Sequence, residues 1–212
     1  KHLSSRLENL TLNKGNFYYD ASVVDTMNSF VYKQSPAEGT ENISLGVFVD
    51  LWFTEDSSKI LEDCFNQCIS LSNGARTLIN TMNSRNSKTY IISGGYNYFV
   101  SRIAKILNVS DYISNDVEIE NGKFSGILKK PIIDEIAKLN EIKKICKTSN
   151  LNLKDVIAVG DGANDMKMLK SVDLGVAYRS KEIVKSSTNI HLDFSDLTAL
   201  LFLQGIDQKQ FL

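Results

Sequence analysis

Two short glycine-rich stretches carry the polar side chains whose types and spacing could do chemistry. One is Ser93-Gly-Gly, after the predicted strand 88–92, and the other is Gly160-Asp-Gly-Ala-Asn-Asp165, after the apolar run 156–159. Two acids four residues apart on a strand-to-helix turn offer hard oxygen ligands for an octahedral ion such as Mg²⁺. A lone Gly-Asp-Gly is equally compatible with an ordinary capped turn, so both interpretations stand at this point.

The Ser93-Gly-Gly stretch is suited to binding an oxyanion. Ser93 offers a hydroxyl, and the amides of Gly94 and Gly95 precede a predicted helix over 99–107. Backbone amides at a helix N-terminus bind anions because they lack partners within the helix and carry partial positive charge. The alternative is a plain Ser-Gly turn with no ligand.

The second stretch is predicted to lead directly into a helix. Gly160 and Gly162 let the backbone turn tightly and approach a ligand closely. Asn164 or Asp165 then has the short polar side chain that helix N-caps prefer. The apolar positions of that helix are Met166, Met168, Leu169 and Val172.

Strands and helices alternate along most of the chain and must position these stretches. Strands are predicted over 88–92, 156–159, 174–177 and 189–192, and helices from residue 57 and over 75–82, 133–146 and 197–203. A hairpin is predicted over 117–128 about Asn121-Gly122. Strands separated by helices predict a doubly wound, Rossmann-like parallel α/β sheet. The carboxyl ends of its strands would bring Ser93 and Asp161 to one edge.

Two details of this pattern are specific. Apolar residues at 133, 136, 139, 142 and 145 predict the buried stripe of the helix over 133–146. Asn73-Gly74 is predicted to end a segment before the helix over 75–82. Lys138 lies near the start of the helix over 133–146, where an isolated lysine is most simply a solvated surface residue.

The composition describes one globular unit with room for a small inserted subdomain. The chain has 212 residues, of which 42% are apolar and only two are proline. Its net charge of −1 argues against nucleic acid or an acidic membrane surface as an electrostatically driven partner. The longest apolar run, 45–53, is interrupted by Asp50, and no signal peptide is recognisable at Lys1.

The cysteines and histidines indicate a reducing compartment and no His-based metal site. Cys64 and Cys68 are four residues apart and Cys146 stands alone, which is neither a disulfide framework nor Cys-x-x-Cys metal spacing. We therefore expect reduced, buried thiols in a cytoplasmic protein. His2 and His191 are too scattered to form a metal site together.

With Lys138 added, these residues resemble a known family. Ser93-Gly-Gly, Lys138 and Gly160-Asp-Gly-Ala-Asn-Asp165 look like the second, third and fourth motifs of the haloacid dehalogenase superfamily, and specifically of its phosphoserine phosphatases. The likeness covers roughly residue 38 to the end. It includes Asn73-Gly-Ala-Arg76, the hairpin at Asn121-Gly122, and the stretches 131–134, 174–178 and 196–205.

The resemblance implies a role for each of these positions. Asp161 would ligate Mg²⁺, Asp165 would hold the metal shell and Asn164 would help to orient the site. Ser93 and the Gly94 amide would bind phosphate, and Lys138 would neutralise charge as the phosphoryl group moves in line. In the family, the first motif is Asp-x-Asp, whose first acid becomes an aspartyl phosphate and whose second acts as general acid and base.

No Asp-x-Asp precedes Ser93, which is the chain's main departure from the family. The nearest fit is Asp20-Ala-Ser, where Asp20 would be the nucleophile and Ser22 would ligate the metal through its backbone carbonyl. A second register places Val23-Val-Asp25 on the helix beyond the motif, which leaves Asn13 and Gly15 at the acid positions and no nucleophile. A third alternative is Asp50, in Asp50-Leu-Trp-Phe-Thr.

By resemblance, residues 1–24 and 70–212 would form the haloacid dehalogenase-like core, and residues 25–69 a small helical cap inserted after the first strand. The chain has no arginine between Arg6 and Arg76, where the family's cap carries arginines, and reads Leu45-Gly-Val-Phe-Val-Asp50 there instead. That apolar stretch packs the cap core or faces the pocket or a partner.

The implied function is a Mg²⁺-dependent phosphomonoester hydrolase that acts on a small phosphorylated metabolite, as in serine biosynthesis. Two alternatives remain open. One is a catalytically impaired pseudo-phosphatase that binds phosphate or a protein partner. The other is a phosphotransferase that passes the phosphoryl group to a small alcohol.

Overall fold

A computed structural model of the chain describes residues 57–120 and 123–212. The predicted nucleophile Asp20, the predicted metal ligand Ser22 and the alternative Asp50 lie outside these residues. So do the proposed core segment 1–24 and the apolar stretch 45–53. These assignments stay predictions.

The chain divides into two compact units. The described residues of the first are 57–69 and 118–127 without 121–122, and the second consists of Ser70–Val117 and Leu128–Leu212. The second unit contains every described residue that the sequence proposes for chemistry. The predicted division into core and cap depends on residues before 57 and is not decided by these units.

The first unit contains helix α1, Ser57–Cys68, and most of a pair of strands. Leu61 and Cys64 are buried and Phe65 and Cys68 are half-buried, so these four residues form the inward face of the helix that the sequence predicts from residue 57. Strands β3, Val117–Glu120, and β4, Lys123–Leu128, pair in a two-stranded sheet that flanks residues 121–122, as the hairpin prediction requires.

The three cysteines are free thiols, and Cys64 and Cys146 are buried as expected, whereas Cys68 is only half-buried. Burial, together with the neighbouring Cys68, raises the pKa of Cys64 to about 12. Burial and the nearby Asp155 carboxylate also raise the pKa of Cys146. Both thiols therefore stay protonated, and poorly nucleophilic, at neutral pH.

The second unit begins with helix α2, Ala75–Ser84. Gly74 is its N-cap, with φ at +78°, so Asn73-Gly74 opens this helix as well as closing the preceding segment. A Cβ on Gly74 would lie 2.8 Å from the Thr198 nitrogen, and the Leu197 amide donates to the Asn73 carbonyl at 3.0 Å. The start of α2 is therefore packed against the segment that leads into the C-terminal helix.

A β-α-β unit follows, made of strand β1, Tyr90–Tyr96, helix α3, Asn97–Leu107, and strand β2, Asp111–Asn115. β1 and β2 pair in parallel, and their register shifts between Ile92 and Tyr96. Phe99 and Val100 of α3 are almost fully buried and anchor the helix.

The boundary predicted at Ser93 is wrong. β1 does not stop at the glycines but runs through them to Tyr96, and α3 begins only at Asn97 with Tyr96 as its N-cap. Gly94 and Gly95 therefore lie in the irregular part of a strand, not in the first turn of a helix. The shift in register accommodates them, because a bulged strand can hold extra residues against its partner.

Three more parallel strands form a second sheet in the order β5-β6-β7. β5 is Ile157–Gly160, β6 is Leu174–Tyr178 and β7 is Ile190–Leu192, close to the predicted ranges. The first crossover contains a 3-10 turn, Ala163–Asp165, and helix α5, Met166–Ser171, and the second contains helix α6, Glu182–Lys185. The parallel strands and helical crossovers confirm the predicted α/β class.

Helix α4, Glu135–Thr148, precedes this sheet and begins at Asp134, whose side chain accepts a hydrogen bond from the Ala137 amide at 2.8 Å. Its buried residues are Lys138, Ile142 and Cys146, spaced four apart. The predicted stripe is wrong at 136, because Ile136 is 54% exposed. The helix is rotated so that Lys138 points inward.

A single apolar cluster joins α4 to the second sheet. Ile142 and Cys146 of α4 contribute to it with Ala158, Met168, Leu169, Ala177 and Val184. The remaining elements are a 3-10 turn at Leu153–Asp155, helix α7, Ala199–Leu203, and a 3-10 turn at Gln208–Gln210. Among the described residues, no helix combines the length and apolar character needed to span a bilayer.

Candidate active site

The acidic turn, residues 160–165, is built around the carboxylate of Asp165. Its Oδ2 accepts hydrogen bonds from the Asp161 amide at 3.1 Å and from the Gly162 amide at 3.0 Å. A Cβ on Gly160 would lie 2.6 Å from the Asp165 Cγ, and one on Gly162 would lie 2.6 Å from the Asn164 Oδ1. The two glycines are therefore required because the side chains of the turn fold back over its own backbone.

Asp165 is the N-cap residue of α5, as one of the two predictions for this helix has it, and Asn164 is not. The side chain of Asp165 nevertheless makes no cap hydrogen bond to the helix. The carboxylate folds back towards the turn, where two amides donate to its Oδ2 and a cation binds its Oδ1. This cation was not foreseen as a partner of Asp165.

The cation is Lys138. Its Nζ lies 2.7 Å from the Asp165 Oδ1, and the two side chains are only 6% and 7% exposed. Lys138 is therefore no solvated surface lysine. An ammonium has three N–H donors, and within the described part of the chain Asp165 accepts the one hydrogen bond that this ammonium donates. Two donors remain for a bound anion.

The Ser-Gly-Gly segment, residues 93–95, is organised by neutral hydrogen bonds. The Gly95 amide donates to the Ser93 Oγ at 2.9 Å, and Ser93 is 9% exposed. Since the hydroxyl oxygen accepts this bond, its own hydrogen is available to donate to a ligand oxygen. The Ser93 hydroxyl can therefore donate to a ligand while it accepts from the Gly95 amide.

Asn115 supports the same segment and was missed by the reasoning from sequence. It is the last residue of β2, is 1% exposed, and donates from Nδ2 to the Gly94 carbonyl at 2.7 Å. Its Oδ1 accepts from the Ile133 amide at 2.7 Å. One signal could have identified it, because Asn115 is a polar residue at the carboxyl end of a parallel strand, like Ser93 and Asp161.

Helix α4 lies against both candidate regions, since it contacts β1 and the 3-10 turn of the acidic turn. Lys138 is the fourth residue of this helix, at the end of its first turn. The structure thus joins Lys138 directly to Asp165, and places the helix that carries it beside the strand that contains Ser93. Asp20 and Ser22, the other residues predicted for the site, lie outside the described residues.

The described residues fit part of a Mg²⁺ site. Asp161 follows β5 directly and supplies a half-buried carboxylate, whereas both oxygens of Asp165 are engaged by Lys138 and two amides. Among the described residues, no three His, Cys, Asp or Glu side chains are grouped to hold a metal. Mg²⁺ keeps several waters and takes phosphate oxygens as ligands, so one or two protein carboxylates suffice. Asp161 is the residue here that could hold it.

The chain matches the family model described as "haloacid dehalogenase-like hydrolase" over residues 44–173. This match includes Ser93, Lys138, Asp161 and Asp165 but begins after Asp20 and Ser22.

Proteins called phosphoserine phosphatase are among its relatives. That of Lactococcus lactis is 34% identical over 152 residues, which are 71% of this chain and 70% of the relative. That of Haemophilus influenzae is 35% identical over 141 residues, which are 66% of this chain but 45% of the relative. The chain therefore spans most of one relative and less than half of the other.

Solved structures of similar fold agree with these relatives. A structure described as a substrate-bound phosphoserine phosphatase complex superposes with a TM-score of 0.66 at 25% identity, over 87% of this chain and 91% of the other. A probable phosphoserine phosphatase from Vibrio cholerae superposes with the same TM-score at 23% identity, over 87% of this chain and 59% of the other. These likenesses support the doubly wound α/β fold predicted from the sequence.

Proposed function

The chain belongs to the haloacid dehalogenase-like hydrolases, and from this premise we propose that it is a Mg²⁺-dependent hydrolase of a small phosphorylated metabolite, similar to phosphoserine phosphatase. The buried pair of Lys138 and Asp165 carries the proposal. A lysine is rarely buried unless it is paired. Among residues 57–120 and 123–212, the ammonium of Lys138 donates only to Asp165, which leaves two N–H donors beside an acidic turn. That arrangement is suited to a ligand that brings negative charge of its own.

The described residues can bind and orient a phosphate group. Lys138 supplies a fixed cation, and the Ser93 hydroxyl and the Gly94 amide supply neutral donors. Because they are already oriented, these donors stabilise charge on the phosphoryl oxygens without reorganising during the reaction. When bound, Mg²⁺ would neutralise further charge and hold the phosphoryl group in line, with Asp161 as a ligand.

The nucleophile is the part of the proposal that depends on residues before 57. In it, a carboxylate oxygen of Asp20 attacks phosphorus, the bond from phosphorus to the leaving alcohol breaks, and water then hydrolyses the aspartyl phosphate. Ser22 would ligate the metal through its carbonyl but cannot donate a proton as a second acid would. We therefore expect departure of the alcohol to be slow, or to use another acid.

Phosphate release from phosphoserine and other small phosphomonoesters tests this proposal. We expect Mg²⁺-dependent turnover that chelation with EDTA abolishes, and that Asp20→Asn abolishes while Asp50→Asn and Asp25→Asn do not. Adding a small alcohol as acceptor separates hydrolysis from transfer. Absence of turnover on the whole panel with Mg²⁺ present would refute the proposal.

A second candidate is a phosphate-binding protein without turnover. Two observations favour it: no Asp-x-Asp precedes Ser93, and the family match begins at residue 44. Beryllium fluoride, which mimics a phosphoryl group on a carboxylate, distinguishes the two. Mg²⁺-dependent binding of beryllium fluoride that disappears in Asp20→Asn supports the hydrolase, whereas phosphate binding that is indifferent to this substitution supports the second candidate.

A further inference from the structure

Asn115 uses both polar atoms of its side chain although it is almost completely buried. Nδ2 donates to the Gly94 carbonyl at 2.7 Å and Oδ1 accepts from the Ile133 amide at 2.7 Å, with 1% of the residue exposed. A backbone carbonyl can only accept and a backbone N–H can only donate, so these two partners fix the orientation of the Asn115 side-chain amide. No other orientation satisfies both.

The bond to Gly94 replaces regular strand pairing. Ile92 is opposite Ile113 and Tyr96 is opposite Asn115, so β1 advances four residues where β2 advances two. Gly94 lies in the middle of that irregular part. Gly94 has no partner in the register of β2, and the side chain of Asn115 holds its carbonyl there.

Asn115 thereby fixes the position of the Ser93 hydroxyl through the peptide plane between Gly94 and Gly95. The Gly94–Gly95 peptide bond is trans, so the Gly94 carbonyl and the Gly95 amide point in opposite directions. The carbonyl accepts from Asn115, and the amide donates to the Ser93 Oγ at 2.9 Å. Fixing one end of this plane fixes the other, and with it the hydroxyl that is free to donate to a ligand.

The other bond of Asn115 reaches the start of the helix that carries Lys138. Ile133 is buried and directly precedes Asp134, the N-cap of α4. The Lys138 amide donates to the Asp134 carbonyl at 2.9 Å in the first turn of that helix. A single side-chain amide thus ties the Ser-Gly-Gly segment to the beginning of α4.

From these contacts we infer that Asn115 is a positioning residue for phosphate binding, which it serves by holding the Ser93 hydroxyl and the start of the Lys138 helix in one arrangement. The inference rests on the proposed phosphate site but not on turnover. Aspartate at this position keeps the shape of the side chain yet offers only acceptors when ionised. Asn115→Asp should therefore turn the Gly94–Gly95 peptide plane and misplace the hydroxyl.

Binding of inorganic phosphate in the presence of Mg²⁺, measured by calorimetry on the full chain, tests the inference. We expect Asn115→Asp to weaken phosphate binding about tenfold, the equivalent of one hydrogen bond. Asn83→Asp is the matched control, because Asn83 also donates to a carbonyl, that of Asn108, and accepts from a hydroxyl, that of Thr89. It should change phosphate affinity less than twofold. Equal effects of the two substitutions would overturn the inference.

A double-mutant cycle with Ser93→Ala separates positioning from a general loss of structure. If Asn115 acts through Ser93, Asn115→Asp should weaken phosphate binding less in the Ser93→Ala background than in the native chain. Fully additive effects on affinity would contradict this route. In variants with turnover, we expect KM to rise more than kcat falls.

Hydrogen exchange in the unsubstituted protein keeps the inference testable if Asn115→Asp does not fold. The Gly95 and Ile133 amides should both exchange slowly, because each is bonded in the arrangement that Asn115 holds. Exchange of either amide at the rate of an unfolded chain would overturn the inference. Failure of the proposed hydrolase function would be a different result, namely phosphate binding by the protein without phosphate release from any ester.

Discussion

The acidic turn and the Ser-Gly-Gly segment are both held in place by buried polar contacts, but these contacts are of different kinds. Both lie at the carboxyl end of a parallel strand and both contain glycines. The acidic turn is held by a buried ion pair between Lys138 and Asp165, while the Ser-Gly-Gly segment is held by the neutral amide of Asn115.

The difference has a physical reason. Removing two charges from water is costly, and only good geometry with further hydrogen bonds offsets that cost. Asp165 meets this condition with two backbone amides, and in return the site gains a fixed cation. The neutral bonds around residues 93–95 carry no such cost, and they leave the Ser93 hydroxyl hydrogen free. We call the Lys138–Asp165 pair the charged clamp, and the hydrogen bonds of Asn115 and Ser93 to residues 94 and 95 the neutral clamp. In the proposed function, the two clamps would give complementary donors to one ligand.

We expect the largest loss of stability when a substitution breaks the charged clamp. Lys138→Met leaves the Asp165 carboxylate buried without its cation, and we expect the free energy of unfolding to fall by ~3–5 kcal/mol. Phosphate affinity should be lost as well. Urea denaturation measures the stability, and Lys129→Met is the matched control, because Lys129 pairs with Asp116 at 3.0 Å with both side chains about half exposed.

The exposed control should lose less than ~1 kcal/mol. A further substitution, Asp165→Asn in the Lys138→Met background, should recover part of the stability because no buried charge remains, without restoring phosphate binding. Equal losses in Lys138→Met and Lys129→Met would show that burial of the pair does not matter to its energy.

The next largest loss is expected when a substitution strains the acidic turn but leaves its charged groups in place. A methyl group on Gly160 meets the Asp165 side chain, which Lys138 holds in place, and we expect Gly160→Ala to lose ~1–3 kcal/mol of stability. In Gly162→Ala the one close contact of the methyl group is with the Asn164 Oδ1, the end of a side chain that can rotate, while the Asp165 Oδ2 lies at an ordinary contact distance of 3.5 Å. That variant should lose less than Gly160→Ala in thermal unfolding, and the reverse order would contradict the packing described for this turn.

A smaller effect breaks the neutral clamp. Ser93→Ala leaves the buried Gly95 amide without its acceptor, and we expect a loss of ~1–2 kcal/mol in urea denaturation. Ser93→Thr keeps the hydroxyl and serves as the control. If Ser93→Ala destabilised the chain as much as Lys138→Met does, the contrast between charged and neutral clamps would not hold.

The smallest effect concerns the start of α4, which both clamps share. Asp134→Ala removes the acceptor for the Ala137 amide and should cost ~1 kcal/mol of stability, with a modest loss of phosphate affinity. Asp207→Ala removes a similar acceptor, for the Lys209 amide near the C-terminus, and should leave phosphate affinity unchanged in calorimetry. Unchanged affinity in both variants would separate the start of α4 from the site.

Much of the site could be anticipated because its signals are local. The acidic turn, the apolar run before it and the alternation of strands with helices all depend on neighbours within a few residues. These signals predicted β5, β6 and β7 closely and placed Asp161 directly after a strand, where the structure has it. The hairpin about Asn121-Gly122 followed from its turn residues in the same way.

The predictions from sequence were wrong where residues far apart in the chain determine the local structure. An apolar stripe through Ile136 was reasonable from periodicity, but the helix is rotated because Lys138 finds a carboxylate 27 residues away along the chain. The strand was expected to stop at Ser93, yet β1 continues to Tyr96. There the side chain of Asn115 holds the Gly94 carbonyl across the irregular pairing.

The sequence by itself determined the α/β class, the order of the elements and the chemical character of the two strand ends, because backbone propensity and hydrophobic period act over short distances. Only the tertiary structure decided which partner each polar group has. The pairing of Lys138 with Asp165 and of Asn115 with Gly94 depends on how separate elements pack. A buried polar group must find a partner wherever the fold brings one close.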